Sequence, residues 1–219
     1  MSNQDPYPAR LEVDYPETLD RLTTFFRVIW IIPIAIILGL VAGAGETVTN
    51  TVFVNEAGDV IRTTRDTAGG LVSGLAVATA LMIIFVQRYP RWWFDFAREL
   101  ARFGARVFAY AALLTDQYPS VVEEQSVHLD LDYPDVEQDL NRWMPLVKWF
   151  LAIPHYIVLA VLGAIAAVVV VIAWFAILFT GSYPRGLFDY VVGVGRWSLR
   201  VQAYVSLLVT DQYPPFSLA

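Results

Sequence analysis

The chain has 219 residues, 57% of them hydrophobic, no cysteine and a formal net charge of −6. With 16% charged residues and a mean hydropathy of +0.51, a compact water-soluble body could not cover its surface, so composition points to an integral membrane protein. The acidic balance gives no reason to expect nucleic acid as a partner, and the lack of thiols removes disulfides, thiolate metal sites and a cysteine nucleophile.

In chain order, residues 1–15 are polar and lack a basic-then-apolar leader pattern, so internal segments are expected to drive insertion. Leu11, Val13 and Tyr15 alternate with Arg10, Glu12 and Asp14, the period of a short strand with one buried face, and Pro16 suits a helix start. A first span is expected at about 28–44, with Arg27 at its mouth and Pro33 inside it. Residues 45–67 read as a β-hairpin whose strands flank Asn55-Glu-Ala-Gly-Asp59. A second span follows at about 69–86, then Tyr89-Pro-Arg91 and an amphipathic helix over 91–114, ending at Thr115-Asp-Gln-Tyr-Pro119.

The same signatures return downstream. Leu129-Asp-Leu-Asp-Tyr-Pro134 matches Leu11-Glu-Val-Asp-Tyr-Pro16, Tyr183-Pro-Arg185 matches Tyr89-Pro-Arg91, and Thr210-Asp-Gln-Tyr-Pro214 matches Thr115-Asp-Gln-Tyr-Pro119. The chain therefore reads as two parallel copies, 1–119 and 120–219. The apolar run after Lys148 is about twice one span, and a turn near Gly163 would divide it into spans at about 146–163 and 164–180. A second amphipathic helix is expected at 185–208. The hairpin is then an insertion in the first copy alone.

These assignments give a mainly α, four-span protein, each copy a short strand, two spans and an interfacial helix. Only Arg62 and Arg65 among the 15 Lys and Arg residues fall on the hairpin side, which places both termini in the cytoplasm. An even number of spans per copy sets the pseudo-symmetry axis along the membrane normal and excludes an inverted repeat.

On the amphipathic helices Asp95, Arg102 and Arg106 are matched by Asp189, Arg196 and Arg200 at spacing i, i+7, i+11. Two readings compete: a solvated face in which Asp95 and Asp189 form structural ion pairs, and arginines that hold lipid phosphates or a partner. Arg27 and Lys148 are expected to snorkel to headgroups. No metal-ligand spacing, phosphate loop or Ser/His/Asp pattern occurs, so neither enzyme activity nor a cofactor is expected. His155 has Ile34 at the matching place, so the unit's plan does not require an imidazole.

The signatures Val13-Asp-Tyr-Pro16, Ile32-Pro33 with Ile153-Pro-His155, Tyr183-Pro-Arg185 with Phe188-Asp189, and Asp211-Gln-Tyr-Pro-Pro-Phe216 resemble a bacterial membrane family, domain of unknown function 4389, present once per copy. The resemblance implies a small inner-membrane protein with no assigned activity or catalytic residues. The expected function is a non-enzymatic scaffold or accessory subunit that engages membrane lipids, a membrane-protein complex or a second copy of itself. The alternative is a small transporter or lipid-translocating module that uses the seam between copies.

Overall fold

Alternation of small apolar and charged residues produces β1 (Ala9–Val13) and β4 (Val127–Leu131), which pair antiparallel with Leu11 opposite Leu129. Ala9, Leu11, Val127, Leu129 and Leu131 are buried on one face, while Glu12, His128 and Asp130 face outward. The outer face carries an ion pair between Arg10 and Asp132, at 2.7 Å, and a contact between His128 Nε2 and Asp14 Oδ2, at 3.2 Å. The computed structural model describes residues 7–42, 51–54, 60–64, 71–121 and 123–219.

The helices are α1 (Arg21–Ala42), α2 (Leu71–Leu81), α3 (Arg91–Ala111), the single turn α4 (Val136–Asp139), α5 (Met144–Leu151), α6 (Ile153–Thr180) and α7 (Arg185–Val205). Strands β2 (Thr51–Val54) and β3 (Val60–Thr64) pair antiparallel, as expected of the hairpin. Its loop at 55–59 and its flanks lie outside the described residues. Helix α2 continues as a π-helical turn, Met82–Val86, and ends at Gln87 with φ 50°. Gly181 closes α6 the same way at φ 77°, a left-handed cap that glycine adopts without strain.

Among the described residues, two segments, Arg21–Gly39 and Met144–Thr180, are long and apolar enough to cross a membrane. The expected division of 146–180 into two spans is not found, because α6 runs unbroken through Gly163 for 28 residues, roughly 42 Å. The flanking alanines, valines and isoleucines favour continued helix in an apolar setting, and one glycine costs only about 1 kcal/mol. The break falls instead at Ala152, so Pro154 lies in the first turn of α6, where its missing N–H is harmless. Pro33 does sit inside α1. Among the described residues, the apolar helix in the second expected span covers Val72–Val86.

Three layers result. The inner face of the β1–β4 sheet rests on α3 and α7, and α1, α5 and α6 pack against those two helices from the opposite side. Helix α7 runs antiparallel to α5 and α6. Lys148 meets the Tyr204 ring, Trp197 Nε1–H donates to His155 Nδ1, and the Tyr190 hydroxyl donates to the Leu162 carbonyl. Helices α1 and α6 are also antiparallel, since Leu19 N–H donates to Gly181 O and Trp174 Nε1–H to Thr24 O. For α7 this packing differs from the expectation of an amphipathic helix at the interface. Helix α7 is buried from Val191 to Gly195, and again at Trp197, Leu199, Val201, Ala203 and Tyr204, between sheet and apolar helices.

Candidate membrane-facing surface

Helix α6 carries one buried stripe, His155, Ala166, Ala173 and Ile177, and opposite it an exposed one. The exposed stripe is Ile153, Ile157, Val161, Ile165, Val168, Ile172, Phe175 and Phe179, at helical spacing over the whole length. Helix α1 adds Phe26, Ile29, Trp30, Ile36 and Ile37, α5 adds Val147 and Phe150, and the π-turn after α2 adds Phe85 and Val86. Only 11% of the most apolar window of Met144–Thr180 is buried, and 17% of that in Arg21–Gly39. A core helix of a soluble protein would be mostly covered. Large exposed apolar patches mark membrane or protein interaction sites.

The two cations within these helices turn inward. Arg27, 3% exposed, donates from Nη1 to Thr115 O at 2.7 Å and to Tyr110 O at 3.2 Å, and pairs through Nη2 with Asp116. Lys148, 1% exposed, donates to Thr210 O at 2.7 Å and holds its ammonium 2.7 Å from Asp211 Oδ1. Each carboxylate also receives a backbone N–H at the start of the partner helix: Asp20 to Asp116 at 2.7 Å, and Asn141 to Asp211 at 2.6 Å. The chain reaches these turns through Leu113 and Leu208, at φ 64° and 56°, a conformation non-glycine residues rarely adopt. The Thr-Asp-Gln-Tyr-Pro motifs are thus locks on a buried cation. The expectation that Arg27 and Lys148 snorkel to headgroups is overturned, because a carboxylate and a carbonyl already meet each charge.

The stripe arginines are likewise committed to protein. Arg102 Nε–H donates to Leu129 O at 2.9 Å, and Arg196 Nε–H to Leu11 O at 3.1 Å. Arg102 also pairs with Glu99 and Asp130, while Arg196 donates to Leu218 O. Arg106 donates to Ser120 O, and Arg200 to Ser217 O and Ala219 O. They clamp the sheet and the C-terminal segment onto the middle layer, on the side away from the apolar face. Asp95 pairs with Arg98 at 3.2 Å; among the described residues no ion pair involves Asp189.

The tyrosines of the Asp-Tyr-Pro motifs were not singled out as functional, yet they join distant parts of the chain. The Tyr15 hydroxyl donates to Tyr183 O, and the Tyr133 hydroxyl to Tyr89 O. Arg185 stacks over the Tyr15 ring and Arg91 over that of Tyr133, at 4.2 and 4.8 Å to the centroids. Burial pushes the phenols of Tyr89 and Tyr183 well above the ordinary tyrosine range.

His155 is buried against Trp197 and stacked on Phe216 at 4.0 Å, and among the described residues no group of His, Asp or Glu converges as metal ligands would. A cavity of about 370 Å³ lies beneath the sheet at the α3–α7 seam. Its lining is leucine, alanine, glycine and phenylalanine, with Ser198, Gln202 and Ser206 the polar members.

Residues 142–217 match domain of unknown function 4389 (DUF4389). The matched stretch holds α5, α6, α7 and the lock residues Lys148, Thr210 and Asp211. One copy is found, not the expected tandem pair; in the first half, the corresponding apolar stretch is divided between α1 and α2 by residues 43–70. No curated protein and no solved structure matches the chain.

Proposed function

We propose that this is a non-enzymatic membrane scaffold or accessory subunit built from two copies of one unit. The observation that carries the reading is the division of the molecule into two sides. The apolar side, on α1, α2, α5 and α6, presents no outward charge between the helix ends. The opposite side is a charged two-stranded sheet clamped by arginines. Such a body is soluble only where hydrocarbon covers the first side and water the second.

The two-copy reading is supported by contacts that occur in matched pairs. Arg27 with Asp116 corresponds to Lys148 with Asp211, Arg102 with Leu129 to Arg196 with Leu11, and Tyr133 with Tyr89 to Tyr15 with Tyr183. The apolar lining of the seam cavity speaks against an aqueous transport path there. The inner-membrane location is supported by the resemblance and by the concentration of basic residues outside the 45–67 segment.

Mild-detergent purification of the tagged protein from native membranes, with mass spectrometry of what accompanies it, tests the function. A partner membrane protein recovered in constant stoichiometry is the expected result. A lone protein that catalyses solute or lipid flux in reconstituted vesicles would contradict it.

A further inference from the structure

We propose that the molecule lies flat on one leaflet of an anionic bilayer, with α1, α2, α5 and α6 in the membrane plane and not across it. The proposal rests on the membrane reading above and adds depth, direction and headgroup contact to it.

The position of the charges decides the direction. The β1–β4 sheet is bridged at one end to the first lock, through Ser126 Oγ and Thr115 Oγ1 at 3.0 Å. At the other end it is bridged to the second lock, through the Tyr7 hydroxyl, which donates to Gln212 O at 3.3 Å. Those locks hold the start of α1 and the start of α5. The start of α1 also lies against the end of α6, through Leu19 and Gly181 and through Thr24 and Trp174. The polar layer therefore runs alongside the apolar helices from one end of the α5–α6 rod to the other. Set upright across a bilayer, these helices would carry the half-buried Arg10 and the exposed Glu12, Asp14, Asp130 and Asp132 into hydrocarbon, where each charge is strongly disfavoured. Laid flat, the same helices sink their exposed stripe into acyl chains and leave every one of those charges in water.

Symmetry agrees. Helix α1 corresponds to the α5–α6 stretch in the two-copy reading and runs antiparallel to α6. A twofold axis can relate antiparallel rods only if it is perpendicular to both. The Leu11–Leu129 pair sits at the centre of the sheet, so such an axis passes through the polar layer and the apolar layer in turn. Placed along the membrane normal, it leaves the helices in the plane.

The rim supplies the headgroup contact. Arg21, Arg88, Arg91, Arg142 and Arg185 are exposed at the ends of the apolar helices, and none of them forms an ion pair with a carboxylate among the described residues. Exposed Trp92 and Trp143 accompany them. Indole rings and guanidinium groups there match the chemistry of a phosphate headgroup layer.

The test is a depth profile. The chain has no cysteine, so nitroxide labels go on single cysteines at Ile157, Val161, Ile165, Val168, Ile172 and Phe175, in protein bound to vesicles of phosphatidylglycerol and phosphatidylethanolamine. Accessibility to oxygen and to a nickel chelate then gives the depth of each. Equal depths within a few ångströms, all in the acyl region of one leaflet, are expected. A steady gradient or a V-shaped profile across the roughly 27 Å covered by these sites would overturn the flat orientation while keeping the membrane reading. Labels that stay water-exposed, or that are shielded only by a vesicle-free dimer, would overturn both.

Discussion

Leu11 lies opposite Leu129 at the centre of the sheet, and each carbonyl receives an arginine Nε–H from a different helix, Arg196 for Leu11 and Arg102 for Leu129. The stripe arginines Arg102 and Arg196 therefore fasten the sheet to the helical layer. Replacing Arg196 with Met should lower unfolding stability by about 1–3 kcal/mol, the cost of leaving a partly buried carbonyl unpartnered. Thermal unfolding in detergent measures this, and binding to anionic vesicles should be unchanged in the folded variant.

The Lys148–Asp211 lock makes a non-additive prediction. Lys148→Met alone leaves the half-buried Asp211 carboxylate without its cation and should cost up to about 3–5 kcal/mol. The double variant Lys148→Met with Asp211→Asn should recover much of that loss. A double-mutant cycle by denaturant unfolding reads the coupling, and simple additivity would count against a buried ion pair.

Gly195 of α7 lies against the Phe108 ring of α3. A Cβ there would fall 2.7 Å from the Phe108 ring, so Gly195→Ala should destabilise by about 1–3 kcal/mol. Adding Phe108→Leu should relieve part of the loss, measured as a rise in Tm from the single to the double variant.

Rim arginines should behave differently from clamp arginines. Changing Arg21, Arg88, Arg142 and Arg185 to Gln should weaken binding to anionic vesicles by about 1 kcal/mol per charge at low salt. The decrement should shrink as salt rises, in a sedimentation assay with sucrose-loaded vesicles, because exposed charges are screened.

The buried phenols give a pH dependence. Tyr89 and Tyr183 have folded pKa values raised by burial, so above the unfolded value of about 10 the unfolded chain loses protons that the folded protein keeps. Stability should be level up to that pH and fall beyond it. Tyr183→Phe, which removes a buried hydroxyl with no partner, should make the alkaline fall shallower in pH-titrated melts.

Much of the fold was legible in the sequence. Period-two alternation gave both strands of the sheet, and the Tyr-Pro-Arg motifs gave the starts of α3 and α7. Two things were not legible. Hydropathy measures how apolar a segment is and not its direction, so the long run after Lys148 was divided at Gly163 into two crossings, whereas α6 is one rod. A charge stripe at helical spacing also looks the same whether it meets phosphate or carbonyl oxygen. Only the packing of α3 and α7 under the sheet shows that Arg102 and Arg196 face the backbone of Leu129 and Leu11. A signal was available in the lock motifs, since Arg27 and Lys148 each lie among apolar residues and each half ends in Thr-Asp.

Sided labelling tests the central claim most directly. Single cysteines at Gln138, Ala164 and Ser182 are treated with a membrane-impermeant maleimide in intact spheroplasts and in inverted vesicles. The account predicts that Gln138 and Ser182 react from the same side and that Ala164 reacts from neither. Reaction of Ala164 or Ser182 only from the side opposite Gln138 would contradict it.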